Sequence, residues 1–316
     1  MGIMLRCMED LYGMKHINLS IIFVFIMVSV FLILSQKVDT VVAITKLQSQ
    51  YNNAIDNAVE DALMQIVDQD SLSSTSIDFA SVTDSFLRYL AWNLGLNAES
   101  QSGRTLLNYV PVIAYIVQDG LYMAYQDVEG GEGSAREDNA GEDNGGRDNV
   151  VEGHAQEQSK YWLVGEWNTS IDISERIPFE RRTDSYLIQY TLTDYIRVIN
   201  LQTKENIEGY YGDLIALFPE ILPGTREEFD KERRLVIINC LTETMNSYIE
   251  KHNRIAKHYG IKYQFSLPNI DMEEWYRTVD DISMLVLFQG YPYGNSTLGY
   301  YNRIALGGAR VRKVGN

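Results

Sequence analysis

The chain has 316 residues, 45% of them hydrophobic and 11% aromatic, enough for a folded core in one large domain or two small ones. A formal net charge of -16 argues against a nucleic-acid partner, which requires a basic face to displace counterions. Cys7 and Cys240 lie on opposite sides of a long apolar run, so no disulfide framework is expected and cysteine usage does not choose a redox compartment.

Residues 1–16 read as a short N-terminal tail. Residues 17–36 carry no charge. At about 1.5 Å per residue, twenty helical residues reach about 30 Å, the depth of a hydrocarbon core. Ile17, Ile21, Phe25, Val28, Phe31 and Leu34 are therefore expected to mark a transmembrane anchor in contact with the lipid bilayer. A cleaved signal peptide would have a shorter apolar region and a small-x-small exit, whereas this run leaves through Leu34-Ser35-Gln36-Lys37.

From residue 37 to 70 the apolar residues recur at gaps of three and four. Ile44, Leu47, Tyr51, Ile55, Val59 and Leu63 form one stripe of an amphipathic helix that packs on protein. No Gly or Pro occurs between Lys15 and Leu94, so the simplest object is one helix of about fifty residues. Arg6 and Lys15 before the span balance Lys37 and Lys46 after it, and the positive-inside rule is nearly mute. The short tail leads us to expect a single-pass protein of the cell membrane with an extracytoplasmic body.

The body, residues 71–316, reads as α+β. A helix is expected over Asp78 to Asn93, capped by Ser76 or Asp78 and closed by Gly95. Two β-rich runs flank Gln118-Asp119-Gly120, a hairpin signal. Pro111 at the start of the first run makes that strand an edge, or delays its pairing until after the proline. Residues 127–159 read as a disordered acidic insertion: ten acidic residues from Asp127 to Glu157 face two arginines. Its Asp, Asn and Gly residues fit no calcium-loop register. Strands follow in "KYWLVGEW" and "DSYLIQYTLTDYIRVIN", giving with the hairpin one antiparallel meander of about four strands. "NIEGYYGDLIALFPEILPG" reads as irregular or a short helix. Thr225 and Glu228 make a capping box for a long helix closed by Gly260. "IKYQFSLP" reads as a strand, and a helix is expected from Asp271 to about Gly290, then a Gly/Tyr-rich loop and a terminal strand.

Reaction chemistry is sparse. His252 and His258 are six residues apart and point to different sides of their helix, against zinc spacing. Cys240 falls in the apolar stripe and is expected in the core. Glu273-Glu274 and Asp280-Asp281 are neighbours that cannot face each other as a dyad on one helix. No nucleophile-elbow, zincin, phosphate-loop or dinucleotide motif occurs. No cofactor and no catalysis are expected. Tyr291, Tyr293, Tyr300 and Tyr301, interleaved with glycines, read as a loop on the sheet edge or as a contact surface for a neighbouring subunit.

A short tail, an apolar helix running into an amphipathic one, and a Tyr-rich antiparallel body together resemble pilins, pseudopilins and TadE-like minor pilins. The likeness covers the first seventy residues and the remainder in outline. It implies a non-catalytic structural or assembly subunit of a bacterial pilus-like or secretion apparatus, with partners among other membrane or pilus subunits, itself included. The prepilin processing signature is absent: Gly13-Met14 is followed at the fifth position by Asn18 instead of Glu. No site residue is carried over. The alternatives are an extracytoplasmic ligand-binding or sensor module, and a cell-wall enzyme assembled from Glu274, Asp280 and His252.

Overall fold

A computed structural model describes residues 2–68, 77–100, 103, 105–128, 169–256, 262–263, 275–276, 279–294 and 298–309. The chain forms two compact units, Met1–Gln50 with Pro292–Tyr300, and Tyr51–Tyr291 with Tyr301–Asn316. The fold is α+β, with a long apolar N-terminal helix and antiparallel sheets.

In the first unit the main element is helix α1, Gly2–Asp68, which passes on into the second. Residues 2–16, before the apolar run, are turns of this same helix, so α1 is longer than the fifty residues expected. Helix-favouring Met, Leu, Arg and Glu there outweigh Gly13, with Gly2 only at the helix start. No break occurs near Asp39. Phe23 to Ala43 are exposed on every side, and Ile44 and Leu47 are the first half-buried positions among the described side chains.

In the second unit α1 buries Ala54, Ile55, Ala58, Val59, Ala62, Leu63 and Ile66, a stripe two residues wide. Helix α2, Phe79–Asn93, starts at Asp78, whose carboxylate accepts the Ser81 N–H at 3.1 Å. Gly95, at φ +73°, turns the chain out of it. Asn93 Nδ2 donates to the Ala54 carbonyl on α1 at 3.2 Å.

The hairpin joins β1, Val112–Val117, to β2, Gly120–Val128, through Gln118 and Asp119, with Val117 opposite Gly120. With β3, Thr169–Ile173, β8, Ile282–Pro292, and β9, Tyr300–Ala309, they make a sheet of order β3-β2-β1-β8-β9. Strand β1 is interior, so of the two readings of Pro111 the second holds: pairing begins only after the proline. The proline stands immediately before the first paired residue and removes no ladder donor. Every β1 residue is buried.

The helix expected up to about Gly290 is corrected, because Ile282–Pro292 is strand β8. Ser283 to Phe288 are buried consecutively, and a strand covered on both faces has no alternation to separate it from a buried helix. The single meander becomes two sheets. The second is β4-β5-β6-β7 in sequence order: Phe179–Arg182, Tyr186–Tyr190, Tyr195–Asn200 and Asn206–Tyr210. The stretch read as irregular or a short helix begins with strand β7 and continues into a short helix, the single turn α3, Tyr211–Leu214.

Helix α4, Arg226–Ala256, carries the expected capping box. Glu228 N–H donates to Thr225 Oγ1 at 3.2 Å and Thr225 N–H to Glu228 Oε2 at 3.3 Å. Its buried Phe229, Ile237, Leu241, Met245 and Ile249 join residues of both sheets in one apolar core. The other face of β1 meets α2, where Tyr115 Oη and Thr83 Oγ1 are 2.7 Å apart and Phe79 lies against Tyr115 and Tyr122. Asp127 and Val128 close β2; the rest of the acidic insertion, 129–159, lies outside the described residues, as do the "KYWLVGEW" strand, residues 271–274, His258, and all of "IKYQFSLP" but Lys262 and Tyr263.

Candidate functional site

Helix α1 is long and apolar enough to cross a membrane. Phe25 and Phe31 are each 70% exposed, and Val28 and Leu34 are exposed with them. Ile17 and Ile21 fall in the same helix, their side chains outside the described set. Twelve consecutive exposed residues from Phe23 to Leu34 contain eleven large apolar side chains and Ser29, whose hydroxyl donates to the Phe25 carbonyl at 2.8 Å. A surface that apolar has no water-facing side.

The expected packing stripe divides between the units. Ile44 and Leu47 are half-buried in the first, and a methyl placed on Gly294 would meet Leu47 Cδ1 at 3.9 Å. In the second, Tyr51 is half-buried while Ile55, Val59 and Leu63 are core. Asp56 pairs with Arg303 of β9 at 2.8 Å.

The four tyrosines do not share one surface. Tyr301 is 1% exposed, its ring edge-on to Tyr51 and its hydroxyl donating to Asn52 Oδ1. Tyr291 is edge-on to Tyr51 and Tyr109, and burial pushes its hydroxyl up to about 12. Tyr293 is half-exposed and Tyr300 exposed. The alternation of the strand turns Tyr301 inward as it turns Tyr300 outward.

Of the residues considered for catalysis, Asp280 is held by two arginines. Asp280 accepts from Arg233 Nη2 at 2.6 Å and from Arg234 Nε and Nη2 at 3.0 and 2.6 Å. Arg233 is buried and also donates to the Leu192 carbonyl at 2.6 Å. This clamp was not anticipated from the sequence, although Arg233 stands on the apolar stripe four residues from both Phe229 and Ile237, a position where a cation requires a partner.

His252 is buried, its Nδ1 without a hydrogen-bond partner among the described residues and its ring edge-on to Tyr263 at 4.8 Å; burial pushes its imidazole down to about 4. Glu274 lies outside the described residues. The Cys240 thiol donates to the Pro178 carbonyl at 3.7 Å and is pushed up to about 11, chiefly by burial, which keeps it a poor nucleophile. Among the described residues no group of three or more His, Cys, Asp or Glu side chains is arranged to hold a metal ion.

No protein-family model, curated protein or solved structure matches this chain.

The site with the clearest physical purpose is therefore the bare portion of α1. Its chemistry is that of a solvent preference.

Proposed function

We propose that the chain is a single-pass, membrane-anchored, non-catalytic subunit that assembles with other membrane proteins in a pilus-like or secretory apparatus, its body extracytoplasmic. The observation that carries this reading is the bare apolar surface of α1 from Phe23 to Leu34, in a helix whose later turns bury Ile55, Val59 and Leu63 in the second unit. An anchor that is also a core helix couples the body to the bilayer without a flexible linker. That coupling suits a subunit whose neighbours are held in the same membrane, and the pilin-like layout of the sequence agrees with it.

The test is a photo-crosslinking residue at Phe31 of the full chain, activated in intact membranes. The expected product is a discrete set of protein adducts, containing a second copy of this chain or another membrane protein. Adducts to lipid alone, at native expression level, would contradict assembly through the anchor.

A further inference from the structure

Strand β7 ends its sheet, and its outer side is open: Glu205 to Glu208 and Tyr210 are exposed. The ladder to β6 decides which backbone groups stay free. Asn200 N–H donates to the Glu205 carbonyl at 2.9 Å and Tyr211 N–H to the Asp194 carbonyl at 2.8 Å, at the two ends of a register that sets Val198 opposite Ile207. Glu205, Ile207, Gly209 and Tyr211 therefore bond inward, and Asn206 and Glu208 turn N–H and carbonyl away from the sheet. Among the described residues those four groups have no hydrogen-bond partner.

The opposite edge of the same sheet is guarded against pairing. There β4 carries Glu180, Arg181 and Arg182, with Pro178 just before it. Strand β7 has no proline or lysine, and its one charge, Glu208, is held by Arg197 of β6 at 2.7 Å. On the core-facing side Ile207, opposite the buried Val198, is left 45% exposed.

We propose that β7 pairs with β7 of a second copy of this chain, antiparallel about a two-fold axis through Ile207, so that one sheet runs through both. The edge supplies its own complement in that register. The free groups of Asn206 meet those of the partner's Glu208, and the reverse, for about four hydrogen bonds. The Asn206 amide then faces a carboxylate, and Ile207 meets the partner's Ile207 in the close, non-hydrogen-bonded pair that covers both. An axis through Glu208 would set two carboxylates opposite each other. One through Gly209 would bring Ile207 level with the partner's Tyr211, where α3 begins.

The inference rests on the membrane-anchored reading. A five-residue strand is small beside the about 1,200–2,000 Å² of a stable interface, and copies of net charge -16 repel one another. Anchors in one bilayer raise the local concentration at which the edges meet.

The experiment uses the full chain carrying Cys7→Ser and Cys240→Ala, in membranes of expressing cells. Single cysteines are placed by Ile207→Cys, Asn206→Cys and, at a more exposed position, Leu217→Cys. The axis sets the two Cα atoms at 207 about 4.5 Å apart, which a disulfide spans, and the two at 206 more than about 7 Å apart, which it does not. Under copper–phenanthroline oxidation, Ile207→Cys is expected to form dimer about tenfold faster than either other variant. Equal rates at 206, 207 and 217 mean chance collision and overturn the pairing, as does the absence of dimer at 207. A mixed disulfide at 207 with a different protein means that another strand holds the edge, and overturns the second copy. Any of these results, with protein adducts at Phe31, leaves the anchored assembly standing. A chain that leaves the membrane pellet removes that reading and this inference with it.

Discussion

Asp280 receives two arginines from one helix, and what each loses on its removal differs. Arg233 is buried, so Asp280→Ala leaves its charge, among the described residues, with the Leu192 carbonyl and the more distant Asp230. The expected loss is about 3–5 kcal/mol, read as a drop in melting temperature of the full chain in detergent. Arg233→Met removes the buried charge at similar volume and is expected to lose less than half as much.

His252 acts through pH. Above pH 6.5 it is neutral folded or unfolded. Between 6.5 and about 4 the unfolded chain takes up a proton that the folded one refuses, so stability falls as pH falls through this window, by about 3 kcal/mol in all. The stability of the parent relative to His252→Leu should therefore fall by about that amount as the pH drops from 6.5 to about 4. A difference independent of pH would mean that the imidazole is not held neutral by burial. At this scale the sequence was legible where burial alone decides, as for Cys240 in its stripe. It was not legible for Asp280, whose partners come from 46 and 47 residues away.

Elements were readable where local signals agree. The α2 cap, which falls on Asp78, the second of the two candidates, the Gln118-Asp119 turn and the Thr225/Glu228 box each satisfy backbone groups within a few residues. Strand β8 carried no such signal, since a run buried on both faces lacks the alternation that marks a strand. Its tertiary position between β1 and β9 decides it.

The packing of α1 on β9 gives the sharpest test of an element contact. A Cβ at Gly307 would lie 2.4 Å from Val59 Cγ1 and 2.9 Å from Leu63 Cδ1, neither able to swing clear in the core, whereas one at Gly308 would meet nothing within 4 Å. Gly307→Val is expected to lower stability by about 1–3 kcal/mol. Gly308→Ala should change the melting temperature little, and equal effects of the two would mean that α1 and β9 are not packed this way.

At the level of the molecule, the α+β class, the unbroken helix and its two kinds of surface followed from the hydrophobic pattern. The division into two sheets did not, because pairing β1 with β8 joins segments about 170 residues apart, a choice set by the collapsed core and by no local motif. The candidate site was legible in the same uneven way. The anchor's composition announces itself, while the separation of Tyr300 from Tyr301 required the strand's facing.

What joins these levels is a helix that is apolar outside in one stretch and core in the next. The direct measurement is high-speed sedimentation of membranes washed with alkaline carbonate, followed by intact mass of the pelleted chain. The expected result is a pelleted species that retains residues 17–36. A chain left in the supernatant, or a pelleted one cut behind Ser35, would contradict the anchor.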